Sequence, residues 1–301
     1  MPQIEANGIA LEYEIFGDRD APPLLLVMGL GAQLTLWPIE LVEALVARGF
    51  RVIRYDNRDI GLSHKMDGAR APGMMRHILA RRFGFNIRVP YTLADMAADG
   101  VGLLDALAIQ RAHVVGASMG GMIAQHIAFS HPERVLSLTS IMSTTGNPKL
   151  PPARKEAITA LTRRPASMAE AVLVEHGMKI GRAIGSPGYP AEEERLRANT
   201  TANVRRSVHP EGMPRQLAAI IAHGDRRQRL AKVTAPTLVI HGEADPLVPV
   251  EGGRDTAAHI AGAALKTIPG MGHDLPLALV DEIADLIAEH AHAAVGDPIP
   301  S

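Results

Sequence analysis

Residues Ala112–Ala128 read AHVVGASMGGMIAQHIA: a short apolar run, a serine between glycines, then residues at helical spacing. His113, Val114 and Val115 predict a strand, because a brief β-branched run without helical period suits a parallel sheet covered on both faces. Ser118 falls on the turn that follows. Gly116 and Gly120 complete the pattern Gly-x-Ser-x-Gly, which lets strand and helix approach closely while the serine takes a strained backbone and turns its hydroxyl outward. A helix starting near Met119 aims free N–H groups and its positive dipole end at that spot, where negative charge develops when a carbonyl is attacked. A glycine-rich turn alone would explain the pattern. The strand before and the helix after favour a nucleophile elbow.

Around this stretch, 301 residues with 47% hydrophobic side chains suffice for one large core with room for an inserted subdomain. A net charge of −1 gives no nucleic-acid footprint and no polybasic membrane patch, so a small neutral partner fits better. The absence of cysteine excludes disulfides, thiolate metal sites and a cysteine nucleophile. The opening MPQIEANGIALEYEIFG lacks a basic segment followed by an apolar one, so the expectation is a cytoplasmic protein without a signal peptide. No apolar run approaches the roughly 20 residues that span a bilayer. The histidines show no metal-binding spacing, so no metal is expected. Composition leaves monomer and homo-oligomer both open.

Taken in order, Ile4–Glu5 and Ile9–Phe16 predict strands joined at Asn7-Gly8, a dipeptide suited to a tight antiparallel hairpin. Leu24–Met28 is a continuous apolar strand running into Gly29, Leu30 and Gly31, a second source of N–H groups for an oxyanion or else a plain strand-to-helix turn. Trp37–Arg48 has helical spacing and stops at Gly49. Arg51–Tyr55 is a further strand, and Tyr55–Ser63, YDNRDIGLS, is a polar turn. Its Asp56, Arg58 and Asp59 either contact substrate or, the favoured reading, brace neighbouring loops as a buried network, since buried charges need partners. Between His64 and Tyr91 the chain is basic and irregular, with MMRHILARRFGFNIR its one helical patch: a lid, a lipid-surface element or, more simply, a solvated surface helix. Thr92-x-x-Asp95 predicts a capping box that opens a helix through Leu107. Val135–Met142 is another strand.

After Ser143 the texture changes. Residues 144–230 carry helix-like runs (Glu156–Arg163, Ala169–His176, Glu192–Arg206, Met213–His223) and no convincing strand, predicting a helical cap inserted between core segments 1–143 and 231–301. Its Arg163, Arg164, Arg195, Arg197, Arg205 and Arg206 either bind an anionic substrate or form a solvated helix face, the latter preferred. Strand signals resume at Thr237–Ile240. Alternating strands and helices on either side of the insert indicate a mostly parallel, doubly covered α/β sheet.

A serine hydroxyl needs a histidine to take its proton and a carboxylate to fix that histidine's tautomer. HGEADPLVP places Asp245 just past the strand Thr237–Ile240, and PGMGHDLP places His273 in a glycine-rich loop after the strand Ala264–Ile268. Each follows a strand, as Ser118 does, and the order Ser, Asp, His is that of one known hydrolase constellation. Glu243 is a rival acid. Asp274 is a poor one, because adjacent side chains rarely point into one hydrogen bond. His241 reads as structural.

The chain resembles the α/β-hydrolase superfamily over nearly its whole length, through VMGLGA, YDNRDIGLS, VVGASMGG, HGEADPLVP and GMGHD. Within it the likeness is to bacterial carboxylesterases of the aclacinomycin methylesterase group. The resemblance implies a mostly parallel sheet, a helical cap and cofactor-free ester hydrolysis, with Ser118 as nucleophile, Asp245 as acid, His273 as base and the N–H groups of Leu30 and Met119 as oxyanion hole. Many relatives carry His-Gly where this chain has Met28-Gly29. The expected function is a serine carboxylesterase acting on small to medium esters, its aliphatic pocket drawing on Gly29, Met142, Leu247 and Met271. A thioesterase, a cofactor-free perhydrolase or haloperoxidase and a carbon–carbon bond hydrolase use the same triad. A hydrolase-shaped binding protein is the alternative from another class.

Overall fold

The computed structural model describes residues 2–296 apart from positions 74, 77, 78, 81, 82 and 86. The helical patch expected within MMRHILARRFGFNIR falls partly on those positions and so lies outside the described residues.

The sheet is built from β1 (Gln3–Ala6), β2 (Ile9–Phe16), β3 (Pro23–Val27), β4 (Arg51–Tyr55), β5 (Ala112–Ala117), β6 (Val135–Ile141), β7 (Thr237–Gly242) and β8 (Ala264–Ile268). They lie side by side in the order β1-β2-β4-β3-β5-β6-β7-β8. β1 and β2 form an antiparallel hairpin whose Asn7 and Gly8 both have positive φ (51° and 75°), as a two-residue turn matched to strand twist requires. β2 joins β4 antiparallel, and every pairing from β4 to β8 is parallel.

The helices are α1 (Ile39–Ala47), α2 (Leu93–Ala106), α3 (Met119–Ser130), α4 (Lys155–Thr162), α5 (Glu170–Ile184), α6 (Glu193–Arg206), α7 (Gly212–His223), α8 (Arg227–Leu230), α9 (Glu251–Ala258) and α10 (Val280–Val295). Successive strand residues point to opposite faces, so β3 splits its leucines. Leu25 and Val27 join Ile53, Val114 and the α2 and α3 side chains Leu103 and Ile123 in one core. Leu24 and Leu26 join Val52, Val115 and the α1 and α10 side chains Leu41 and Ile287 in the other. Each buried aliphatic contributes about 1.5–3 kcal/mol. α2 starts at the expected capping box, Thr92 Oγ1 accepting the Asp95 N–H at 3.3 Å and Asp95 Oδ2 the Thr92 N–H at 2.7 Å.

Between β6 and β7 the chain runs through α4 to α8, with no strand among the described residues. α5 continues eight residues past the expected end at His176. Gly177 and Gly181 lie within this helix and admit α6: a Cβ on Gly177 would stand 2.6 Å from Thr200 Cγ2, and one on Gly181 2.9 Å from Leu196 Cδ1. No helix among the described residues is long and apolar enough to cross a membrane.

Candidate active site

Ser118 sits between the end of β5 and the start of α3 with φ 58° and ψ −120°, a conformation that L side chains rarely adopt. The flanking glycines are sterically required: a Cβ on Gly120 would lie 1.9 Å from Val27 O, and one on Gly116 2.1 Å from Gly120 O. The elbow is tied to β6, since Ser118 N–H donates to Ile141 O (2.9 Å) and Ser118 O accepts from Ser143 Oγ (2.8 Å).

Asp245 lies on the turn after β7 and is buried. Its Oδ1 accepts the N–H groups of Leu247 and Val248, both at 2.8 Å, and its Oδ2 faces His273 Nδ1 at 2.7 Å. Burial pushes this carboxyl up, but the His273 charge, hydrogen bonding from His241 and His273 and the Val248 N–H together hold it at about 2. His273, in the loop after β8, turns Nε2 to Ser118 Oγ at 2.9 Å. With Nδ1–H donated to the ionised Asp245, the Nε2 lone pair faces the hydroxyl, the tautomer that can take its proton.

The rival acids lie elsewhere. Glu243 is exposed and accepts from Thr267 Oγ1 at 2.8 Å. Asp274, raised by burial, takes the Ser186 hydroxyl, and Ser186 Oγ in turn accepts the Gly272 N–H at 2.8 Å. His241 is buried below the acid turn, its Nε2 2.8 Å from Val248 O and 3.6 Å from Asp245 Oδ2.

Gly29 backs onto the elbow so closely that a Cβ there would stand 3.1 Å from Ser118 Cβ. Leu30 is half-buried beside it, and Met119 N–H, first of its helix, has no intrahelical acceptor. This loop is held by groups around it. Asn57 Nδ2 donates to Met28 O (2.8 Å), Gln216 Oε1 accepts Gly31 N–H (2.8 Å) and Asp56 Oδ1 accepts Leu34 N–H (2.7 Å). Of the expected pocket residues, Leu247 is half-buried beside Asp245, whereas Met142 and the fully buried Met271 belong to the α1/α10 core. Each follows a strand whose last side chains already point into that core.

The YDNRDIGLS turn is the buried network rather than a row of free polar groups. Arg58 grips Asp99 through Nε (2.6 Å) and Nη2 (2.5 Å), and Asp59 receives Arg215 Nε at 2.7 Å and Nη2 at 2.9 Å. The arginines of 144–230 divide. Arg163 and Arg164 are exposed, but Arg206 reaches Asp56 Oδ2 and Gln33 Oε1, each at 2.7 Å, and Arg195 reaches Glu40 at 2.6 Å. Those two join α6 to the sheet domain instead of forming a solvated face. Arg215, Gln216 and Ser186 were not singled out from sequence: isolated polar residues in or beside an amphipathic helix carry no signal of their partners.

Residues 22–277 match the family model for the alpha/beta hydrolase fold, and the chain belongs to that family. It is thus an enzyme of the hydrolase class. It is similar to rhodomycin D methylesterase DauP of Streptomyces sp. (strain C5), 32% identical over 97% of this chain and 98% of that protein. Among solved structures it is similar to the enol-lactonase from Burkholderia xenovorans LB400 (TM-score 0.67, 26% identity, 98% of this chain and 100% of the other). It is also similar to a hydrolase from Pseudomonas aeruginosa PA01 (TM-score 0.66, 29% identity, 98% of each chain).

Proposed function

We propose that the protein is a serine carboxylesterase that hydrolyses small to medium carboxylic esters through an acyl-enzyme. The observation that carries this reading is the unbroken contact chain from Asp245 Oδ2 through His273 to Ser118 Oγ, at 2.7 and 2.9 Å. Ser118 Oγ attacks the ester carbonyl carbon while His273 Nε2 takes the hydroxyl proton. The carbonyl oxygen becomes an oxyanion held by the N–H groups of Leu30 and Met119, where donors already in place stabilise developing charge most effectively. Collapse expels the alcohol, protonated by the imidazolium. Water, deprotonated by the same imidazole, then releases the carboxylic acid and restores Ser118.

The 144–230 segment, in this proposal, is a cap that shapes the pocket. Its support is contact with the site: Met213 packs on Gly31, where a Cβ would lie 3.3 Å from Met213 Cγ, and Ile184 O accepts the His273 N–H at 2.7 Å. The likeness to a rhodomycin D methylesterase makes methyl esters the first substrates to try. Ser118→Ala should lower kcat by about 10⁴–10⁶ and abolish labelling by a fluorophosphonate while the fold stays intact. A panel of p-nitrophenyl esters, methyl esters, a thioester and a peracid assay identifies the acyl acceptor and leaving group. Near-wild-type turnover in the alanine variant would refute the reading.

A further inference from the structure

Gln216 is fully buried on α7, outside the triad, and both ends of its amide are engaged. Oε1 accepts Gly31 N–H at 2.8 Å, and Nε2 donates to Arg58 O at 2.9 Å. Gly31 is the residue after Leu30, and its φ of +68° belongs to the left-handed region. The Gly31 N–H sits on the peptide that leaves Leu30. Pinning that N–H fixes the plane of the peptide, and so limits rotation of the Leu30 backbone, whose own N–H is the proposed oxyanion donor.

We infer that Gln216 is a positioning residue for this reaction, acting through Gly31 to set the Leu30 N–H at the angle an oxyanion requires. The inference rests on the proposed role of Leu30 and deepens it. Three features of α7 make Gln216 a rigid clamp. The preceding Arg215 is locked to Asp59 by two buried contacts at 2.7 and 2.9 Å. Gly212 lies against the backbone of the YDNRD turn so tightly that a Cβ there would meet Asp59 O at 1.9 Å. Met213 covers the Gly31 backbone from the same helix. The helix therefore cannot slide without moving the YDNRD turn, and the amide at position 216 spans the turn and the oxyanion loop. Asn57 and Asp56 secure the loop at Met28 and Leu34, but Gln216 is the side chain that holds the peptide adjoining Leu30.

The test compares Gln216→Met, which keeps the volume and removes the acceptor, with Gln216→Glu, which keeps the acceptor for Gly31. Kinetics use p-nitrophenyl butyrate, active sites are counted by fluorophosphonate labelling, and a trifluoromethyl ketone that forms a hemiketal oxyanion on Ser118 serves as transition-state probe. Deleting an oxyanion donor outright costs about 10²–10³ in kcat, so displacing one should cost about tenfold to a hundredfold. For Gln216→Met the expected result is that loss in kcat per active site, a nearly unchanged KM and a ketone affinity reduced by the same factor as kcat/KM. Gln216→Glu should restore most of the rate. Unchanged kcat and ketone affinity in a folded Gln216→Met variant would overturn the inference, as would a loss explained wholly by fewer labelled sites. If Gln216→Met does not fold, Gln216→Glu decides: loss of ketone affinity despite the retained acceptor also overturns it. A wild-type protein that neither hydrolyses the ester nor takes the label would instead refute the esterase reading.

Discussion

Asp245 and Glu243 stand two residues apart on one turn, yet only Asp245 reaches His273 Nδ1, at 2.7 Å, while Glu243 lies at the exposed sheet edge on Thr267. Asp245→Asn should therefore cost on the order of 10⁴ in kcat by leaving the wrong imidazole tautomer, and Glu243→Gln should cost little. Steady-state kinetics of the two variants test the assignment, and the reverse ranking would move the acid to Glu243.

Asp245 is held at about 2, below the ordinary carboxylate range. Its folded-state value lies below the unfolded one, so its contribution, on the order of 2 kcal/mol, is complete above the unfolded value of about 4 and is lost as pH falls through 2. Urea unfolding should show wild type losing its advantage over Asp245→Asn across that window. Asp245 also stays ionised throughout the working range, so protonation of this carboxyl should add no step to the acid limb of log kcat/KM against pH, whose slope stays at one. A slope of two would mean that a carboxyl gains a proton there as well.

Strain at Ser118 predicts an unusual ranking of inactive variants. Its φ of 58° with ψ −120° suits glycine, and a side chain in such a region costs about 1–3 kcal/mol, partly offset by glycine's greater unfolded-state entropy. Ser118→Gly should thus be more stable than Ser118→Ala by about 1 kcal/mol in denaturant titration. Equal stability would mean that the elbow is relaxed.

The buried pair Arg215–Asp59 should resist single substitution. Arg215→Met leaves the Asp59 carboxylate buried without its bidentate partner, at a cost of about 3–5 kcal/mol in unfolding free energy. Adding Asp59→Asn removes the stranded charge and keeps an acceptor for the Met66 N–H, so the double variant should recover part of the loss. A double-mutant cycle with no coupling would contradict this.

Met213, packed on Gly31, should influence acyl selectivity if 144–230 shapes the pocket. Met213→Ala should change the ratio of kcat/KM between short and longer acyl esters, each methylene being worth about 1–3 kcal/mol of discrimination at most. A chain-length profile identical to the parent's would assign selectivity elsewhere.

Much of this architecture is legible in sequence because the decisive signals are local. The strand Arg51–Tyr55, the capping box at Thr92 and the glycines around Ser118 each encode their geometry within a few residues. What escapes is set by distant partners. α5 runs through two glycines because α6 fills the space they leave, and Gln216 matters because its helix lies over Gly31. α10 is an exception: its Val280, Ile283, Ala284 and Ile287 keep helical spacing, a local signal that the sequence expectations leave unused. Asp56, Arg58 and Asp59 could be read as a network from their charge alone, but not which arginines complete it.

The loop bearing His273 is stitched to the end of α5 at three points: Ile184 O to His273 N–H at 2.7 Å, Ser186 Oγ to Gly272 N–H at 2.8 Å and Gly188 N–H to Gly270 O at 2.9 Å. Residues 184–188 are thereby part of the mounting of His273, the base in the proposed reaction, even though they belong, by chain order, to the segment proposed as a cap. For recombination with other hydrolases this sets the usable splice points. A donor segment joined so that it replaces 184–188 brings its own carbonyl, hydroxyl and N–H to the imidazole loop and must reproduce all three contacts, whereas one that ends before Ile184 leaves the histidine's seat native and can vary in length and composition without disturbing these contacts.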